Sequence, residues 1–189
     1  MRYRYNDAEI KAILKNMVVI IDTREQANEH IIEYFEQKKI PYKISKLDFG
    51  DYSCMLPANT VQGFHRDIYF DRYIAIERKA NIDEIAGNLK SDASRLKNEL
   101  AHMNKHGIKY FFFVEDEQYH ENLRQGMYRS DYDPFTLMQR VKKGIEAAYN
   151  TIVVPVGKRY MGSEIYYTLQ AYVYDLFKHK GFIIENTEE

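Results

Sequence analysis

The 189-residue sequence has no tryptophan, a single cysteine, a net charge of only −1 and no long apolar run. One cysteine, Cys54, cannot close an internal bridge, which excludes a disulfide-stapled scaffold and suits a reducing compartment. The first residues, MRYRYNDAEIKAILKNM, are charged throughout, so neither a signal peptide nor a membrane span is expected. An intracellular location (cytoplasm, nucleoid or nucleus, not secreted) and no membrane partner follow as expectations. Repeats, low-complexity tracts and Gly/Ser linkers are also missing, which excludes a solenoid or a linker-joined array.

The charge balance excludes a global basic field: 27 Lys and Arg face 28 Asp and Glu. Any nucleic-acid footprint must therefore be a local patch. Three of the acids, Glu185, Glu188 and Glu189, crowd the tail ENTEE with no cation among them. At this length one core can bury most of the apolar surface without a metal or disulfide staple. The expected organisation is a helical extension over residues 1–16, one domain over 17–182 and an acidic tail over 183–189.

The apolar pattern alternates between strand and helix character. MVVIID (17–22) reads as a buried strand, and Ile31, Ile32 and Phe35 mark a helix closed by Pro41. YKISKLDFGDYSCML reads as one or two strands with a bend at Gly50, and RDIYFDRYIAIERK as a long returning strand. Ile82, Ile85, Leu89, Leu96, Leu100 and Met103 predict one helix over 82–103, with Asn81 and Glu84 at its cap. IKYFFFVE and TIVVPV are further strands. Asp133-Pro134 opens a helix marked by Leu137, Val141 and Ile145, and a final helix runs from Ser163 to about Lys180. The order β-α-β-β-β-α-β-α-β-α, after a short N-terminal helix, predicts an α/β sandwich with a mixed sheet.

Three acids share one context: Asp22, Asp51 and Glu77 each stand where an apolar strand ends or bends. Each has an ordinary use, Asp22 as a helix cap, Asp51 in a turn, Glu77 as a solvated strand end. Converging on one crevice instead, they would repel one another unless a cation bound among them, and hard oxygen ligands suit Mg²⁺ or Mn²⁺ rather than zinc. Side chains alternate along a strand, so Glu77 and Lys79 face one way and Arg78 the other. A carboxylate with an amine beside it can position a water and neutralise charge on a phosphate.

The strings IDTRE, GDY and ERKANID, in that order, resemble the nuclease domain of the XPF-type structure-specific endonucleases, whose signature is D-x-R-E, G-D-Y and E-R-K-x-x-x-D. These belong to the wider PD-(D/E)-x-K superfamily, and the resemblance covers roughly residues 17–182. It implies a restriction-endonuclease-like three-layer α/β sandwich, a mixed central sheet flanked by helices. It also implies a metal-dependent DNA endonuclease acting at branched, flap or fork DNA in repair, recombination or replication. The implied catalytic set is Asp22, Arg24, Asp51, Glu77, Arg78, Lys79 and Asp83. Asp51 and Glu77 would hold Mg²⁺ (or Mn²⁺) with the Arg78 carbonyl, and Asp22 would join directly or through water. Lys79 would orient or deprotonate the attacking water, and Asp83 would brace Arg78 or Lys79. Arg24, Tyr52, Arg95 and Lys97 would contact DNA.

Two departures from the family pattern stand out. The interval between Asp51 and Glu77 is enlarged, with a hairpin over 55–72 that carries His65, Arg66 and Arg72. Family members usually add tandem helix-hairpin-helix modules, and none is legible here. A homodimer through the aromatic-rich final helix (Tyr166, Tyr167, Tyr172, Tyr174, Phe177) and an additional DNA-targeting protein partner are accordingly expectations. Two readings stay open beside the enzyme on branched DNA: an inactive nuclease-like binding module, and the same chemistry on unbranched duplex. His102 and His106, four apart on a helix, have no third ligand at a suitable spacing and read as surface residues.

Overall fold

The computed structural model describes residues 4–180. The tail expected over 183–189 lies outside the described residues, as do the last two positions of the expected domain. Among the described residues no helix is long and apolar enough to cross a membrane.

Seven strands form one sheet: β1 (Val18–Ile21), β2 (Tyr42–Ile44), β3 (Tyr52–Leu56), β4 (Ile68–Tyr69), β5 (Ile74–Lys79), β6 (Lys109–Val114) and β7 (Ile152–Pro155). Their order is β2-β1-β3-β5-β6-β7, with β4 paired to β3 off this path. β3 runs antiparallel to both β1 and β5, whereas β2 with β1, β5 with β6, and β6 with β7 are parallel. The parallel pairs are joined by helical crossovers, and the antiparallel part is the region that carries GDY and the enlarged hairpin. The mixed sheet expected from the sequence is the one observed.

Helices cover both faces. α1 (Asp7–Leu14), α2 (Glu29–Lys38) and α7 (Met161–Asp175) pack Ile10, Ile13, Ile31, Phe35, Ile165, Leu169 and Val173 against Val19, Ile21, Tyr52, Cys54, Ile74, Ile76, Phe111 and Phe113. α3 (Ile82–Lys90), α4 (Ala93–Lys105), α5 (Tyr119–Gln125) and α6 (Pro134–Val141) cover Ala75, Tyr110, Phe112 and Val114 on the opposite face. The period-2 alternation of strand side chains thus feeds two cores from one sheet, each fully buried aliphatic or aromatic side chain contributing roughly 1.5–3 kcal/mol.

Three local expectations need correction. The helix expected over 82–103 is two helices, broken at Ser91 and Asp92. There the Ser91 hydroxyl donates to the Gly87 carbonyl at 2.9 Å, a local bond that competes with helix continuation. The long strand expected over 66–79 is the two-residue β4 followed by a turn in which Tyr73 and Ile74 N–H both donate to Phe70 O, at 2.8 and 2.9 Å. Helix α5 was not foreseen, because its apolar stripe is only Tyr119 and Leu123 in a polar segment, closed by Gly126 at φ +71°. The caps read from sequence are observed. Asn81 accepts from Glu84 N at 3.3 Å, and Asp133 accepts from Thr136 N at 3.0 Å with Pro134 at the first turn.

Candidate active site

The registers of three strands bring the acids together. β1 pairs with β3 through Ile21↔Tyr52, and β3 with β5 through Tyr52↔Ile76. One residue further along each strand, Asp22, Asp51 and Glu77 come abreast. The backbone confirms the step: Asp22 N–H donates to Asp51 O and Asp51 N–H to Ile76 O, both at 2.8 Å. Tyr52, Ile21 and Ile76 face the α1–α2–α7 side, so by alternation the three carboxylates and Lys79 face the other. Arg78 is turned back to the α2 side.

Gly50 makes this close approach possible. Its φ is +68°, and a Cβ there would lie 3.0 Å from Ile76 O and 3.1 Å from Ala75 Cβ. Only glycine combines that left-handed backbone with that contact at low cost. Asp51 is thereby pressed against β5, where its Oδ2 accepts from Arg78 N–H at 2.8 Å. In an extended strand the N–H and C=O of one residue point the same way, so the Arg78 carbonyl lies along the edge of β5 that Asp51 occupies.

Glu77 Oε1 accepts from Lys79 Nζ at 2.6 Å, and its Oε2 from Tyr110 O–H at 3.1 Å. Lys79, buried, also lies 3.3 Å from Glu84. Burial works against its charge, but Glu77, Glu84 and Asp51 outweigh it, and the ammonium is held above its ordinary pKa. Burial followed by the charges of Glu77 and Glu25 pushes Asp51 well above the usual carboxylate range. That mutual repulsion between two neighbouring oxygen donors fits a hard divalent cation, which relieves it.

Asp22 is tied to Arg24 and to the Leu47 backbone. Its Oδ1 accepts from Arg24 N at 2.8 Å and Arg24 Nε at 2.6 Å, and its Oδ2 from Leu47 N at 2.6 Å. Burial opposes its charge, yet Arg24 and these N–H groups hold it below its ordinary value. Asp22 thus stands beside Asp51 and Glu77 with both oxygens accepting hydrogen bonds. Among the described residues no group of three or more His, Cys, Asp or Glu side chains could hold a metal ion. Along this part of the ladder lie the carboxylates of Asp51 and Glu77 and the Arg78 carbonyl, with Asp22 beside them.

Arg78 points into a closed polar network. Its side chain is 8% exposed; Nε donates to Glu25 Oε1 at 2.6 Å, Nη2 to Gln26 O at 3.0 Å, and Nη1 to Glu115 Oε2 at 3.4 Å. Tyr52 O–H donates to the same Glu25 oxygen at 3.0 Å, and His30 Nε2 lies 2.8 Å from Glu115 Oε2. Tyr52 is fully buried, so the expectation that it contacts DNA does not hold: its hydroxyl is a brace for Glu25. Asp83 likewise braces neither Arg78 nor Lys79. Its Oδ1 accepts from Arg129 N at 2.7 Å and its Oδ2 lies 3.4 Å from Arg129 Nε, because the first turn of α3 aims it at the loop after α5. Glu25 and Glu84 fill the two roles instead. Arg95 and Lys97 are exposed on α4, Arg95 pairing with Asp92 at 3.5 Å, and Arg24 remains 66% exposed beside Asp22.

Four residues of the site were not singled out from sequence: Tyr110, Glu99, Glu115 and His30. Glu115 closes an apolar strand as Asp22 and Glu77 do, and that signal could have found it. Tyr110 hides inside an apolar run, and His30 and Glu99 are single polar positions on helices.

A mixed sheet covered by helices on both faces, with acids abreast at the ends of β1, β3 and β5, is a restriction-endonuclease-like three-layer α/β sandwich. The structure is similar to XPF from Aeropyrum pernix, with a TM-score of 0.54 at 16% identity over 91% of this chain and 67% of that one. It is also similar to XPF from Aeropyrum pernix in complex with DNA, with a TM-score of 0.53 at 17% identity over 82% of this chain and 64% of that one. The chain thus spans about two thirds of the length of each, and at such identities the likeness is one of fold. No curated protein matches the sequence. The family model described as the ERCC4 domain matches residues 21–161, and the chain belongs to that family.

Proposed function

We propose that the protein is a metal-dependent DNA endonuclease that hydrolyses phosphodiester bonds at branched, flap or fork DNA. The observation that supports this most is the row Asp51–Glu77–Lys79 on one face of adjacent strands, with Asp22 alongside. Asp51, Glu77 and the Arg78 carbonyl would hold Mg²⁺ or Mn²⁺, oxygen ligands of the kind those ions prefer. Such an ion, when bound, lowers the pKa of water and offsets charge on a phosphoryl oxygen.

The chain's own residues supply the rest. Lys79, its ammonium favoured by Glu77, Glu84 and Asp51, is a cation rather than a base. It orients the attacking water and faces the charge that develops on the phosphate. Arg24, mostly exposed and tied to Asp22, is free at its outer face to meet a neighbouring phosphate. Arg95 and Lys97 on α4 meet the DNA backbone further out. In this reading Asp22 holds Arg24 and the Leu47 loop rather than the ion, and Arg78 acts through its backbone.

The remaining expectations belong to the same proposal. The domain extends from 17 to 182 after a helical extension over 1–16, and DNA shape is selected with the help of a second copy or a DNA-targeting partner. On the final helix Tyr167 is 58% exposed and Tyr174 37%, which leaves aromatic surface for such a contact, although Phe177 belongs to the core.

The test is a panel of 5′-labelled flap, fork, four-way-junction and linear duplex DNA, incubated with Mg²⁺ or with EDTA. Cleavage of a branched substrate in Mg²⁺ and none in EDTA is expected. Cleavage of linear duplex alone overturns the substrate, and binding without cleavage of any substrate makes the protein an inactive binding module.

A further inference from the structure

Glu77 is held from two sides, and only one was legible in its own strand. Lys79 takes Oε1; Oε2 accepts from Tyr110, which comes from β6. β6 pairs in parallel with β5, Tyr110 opposite Ala75, and both face the α3–α6 side, so Tyr110 stands one pleat before Glu77 on the same face. The ring is 2% exposed and packs edge-on against Phe112 at 5.4 Å. Its position is set by the core, and only the hydroxyl reaches the site. That hydroxyl also lies 3.3 Å from Glu99 Oε1, on α4.

We infer that Tyr110 is a positioning residue for Glu77, fixing which way its carboxylate faces, and that Glu99 backs it through the same hydroxyl. Buried hydroxyls with a single proton cannot donate to two carboxylates at once. Both contacts hold together when Tyr110 donates to Glu77 and accepts from Glu99. Burial, followed by the charge of Glu77, raises Glu99 above its ordinary pKa, while Lys79, Tyr110 and Arg95 pull the other way. With Lys79 on one oxygen and Tyr110 on the other, the Glu77 carboxyl group is held at both ends and its plane is fixed. Without the hydroxyl, Glu77 Oε2 and Glu99 Oε1 face each other with nothing between them.

The consequence for metal binding rests on the function proposed above; the brace itself does not. The experiment separates the two. Protein labelled with ¹³C at glutamate carboxyls is compared as wild type and Tyr110→Phe without metal, the Glu77 signal being assigned by its loss in Glu77→Gln. Mn²⁺ is then titrated into each. Tyr110→Phe keeps the ring and its packing, and it is expected to move the Glu77 carboxyl resonance and weaken Mn²⁺ binding about tenfold. Glu99→Gln, whose amide can still donate to the phenol, is expected to move the resonance less than Glu99→Ala does. An unmoved resonance in Tyr110→Phe overturns the brace, and equal effects of Glu99→Gln and Glu99→Ala overturn the part assigned to Glu99. A moved resonance with no Mn²⁺ binding even by wild type leaves the brace standing and contradicts the metal-dependent reading. Should Tyr110→Phe not fold, Glu99→Ala decides: the Glu77 resonance moves if the hydroxyl is shared, and stays if it is not.

Discussion

The two faces of the sheet at the end of β5 hold similar residues in opposite conditions. On the α3–α6 side, Asp51, Glu77 and Lys79 form an open row in which two carboxylates repel and Asp51 is driven toward its neutral form. On the α2 side, Arg78 is enclosed by Glu25, Glu115, Gln26 O and, behind Glu115, His30, with donors and acceptors matched. One residue of strand separates them. Lys79 offsets the charge of the open row only in part, which suits the metal ion of the proposed function. The closed network fixes the backbone that the open row stands on, since Arg78 N–H holds Asp51. On the proposed function, burial alone does not mark the reacting groups; a charge left unmatched does.

If that division is right, substitutions on the closed side should cost mainly stability, and those on the open side mainly chemistry. Arg78→Met should have the largest effect on folding, leaving Glu25 and Glu115 buried without their cation at a cost of about 3–5 kcal/mol. Urea denaturation measures it, and adding Glu25→Gln should recover part of the loss. Gly50→Ala comes next. An alanine at φ +68° with its Cβ 3.0 Å from Ile76 O should cost roughly 1–3 kcal/mol and weaken Mn²⁺ binding by shifting Asp51.

Asp51→Asn tests the open side through pH. In wild type without metal, the folded-state pKa of Asp51 is raised above its unfolded value of 3.8. The folded protein thus keeps a proton that the unfolded chain has released, and stability falls as pH rises above that value, by at most about 1.4 kcal/mol per pH unit. The fall ends once the raised folded value is passed. Asp51→Asn should be free of this component, so its stability relative to wild type should grow with pH in EDTA and the gap should narrow in saturating Mg²⁺. Thermal melts across pH 4–8 measure both. The smallest effect is expected from Arg95→Ala or Lys97→Ala. Each should leave stability within about 0.5 kcal/mol and lower the salt dependence of DNA binding by about one unit of slope.

Much of the open row was legible in the sequence, because strand alternation is local: it puts Glu77 and Lys79 together and Arg78 opposite whatever the tertiary fold. Three acids at strand ends also pointed to a common crevice, and Gly50 to a bend. The partners were not legible. Asp83 directly precedes Glu84, the carboxylate that meets Lys79, and which of the two turns inward depends on how α3 docks. Tyr52, as part of GDY, was expected to contact DNA, yet its alternation with Cys54 and Leu56 places it in the α1–α2–α7 core. Glu115 is 37 residues from Arg78, His30 is 85 from Glu115 and Tyr110 is 33 from Glu77, contacts made by the tertiary fold that no local pattern encodes. The helix break at Ser91 and Asp92 escaped notice because the apolar spacing runs through it almost in phase.

The most direct test of the division between faces is single-turnover cleavage of a fork DNA in Mg²⁺ by wild type, Glu77→Gln and Lys79→Ala, with DNA affinity measured alongside. Both variants should lose cleavage by about 10²–10³-fold or more while binding DNA as wild type does. Wild-type cleavage by either variant would contradict the assignment of the open row as the reacting face.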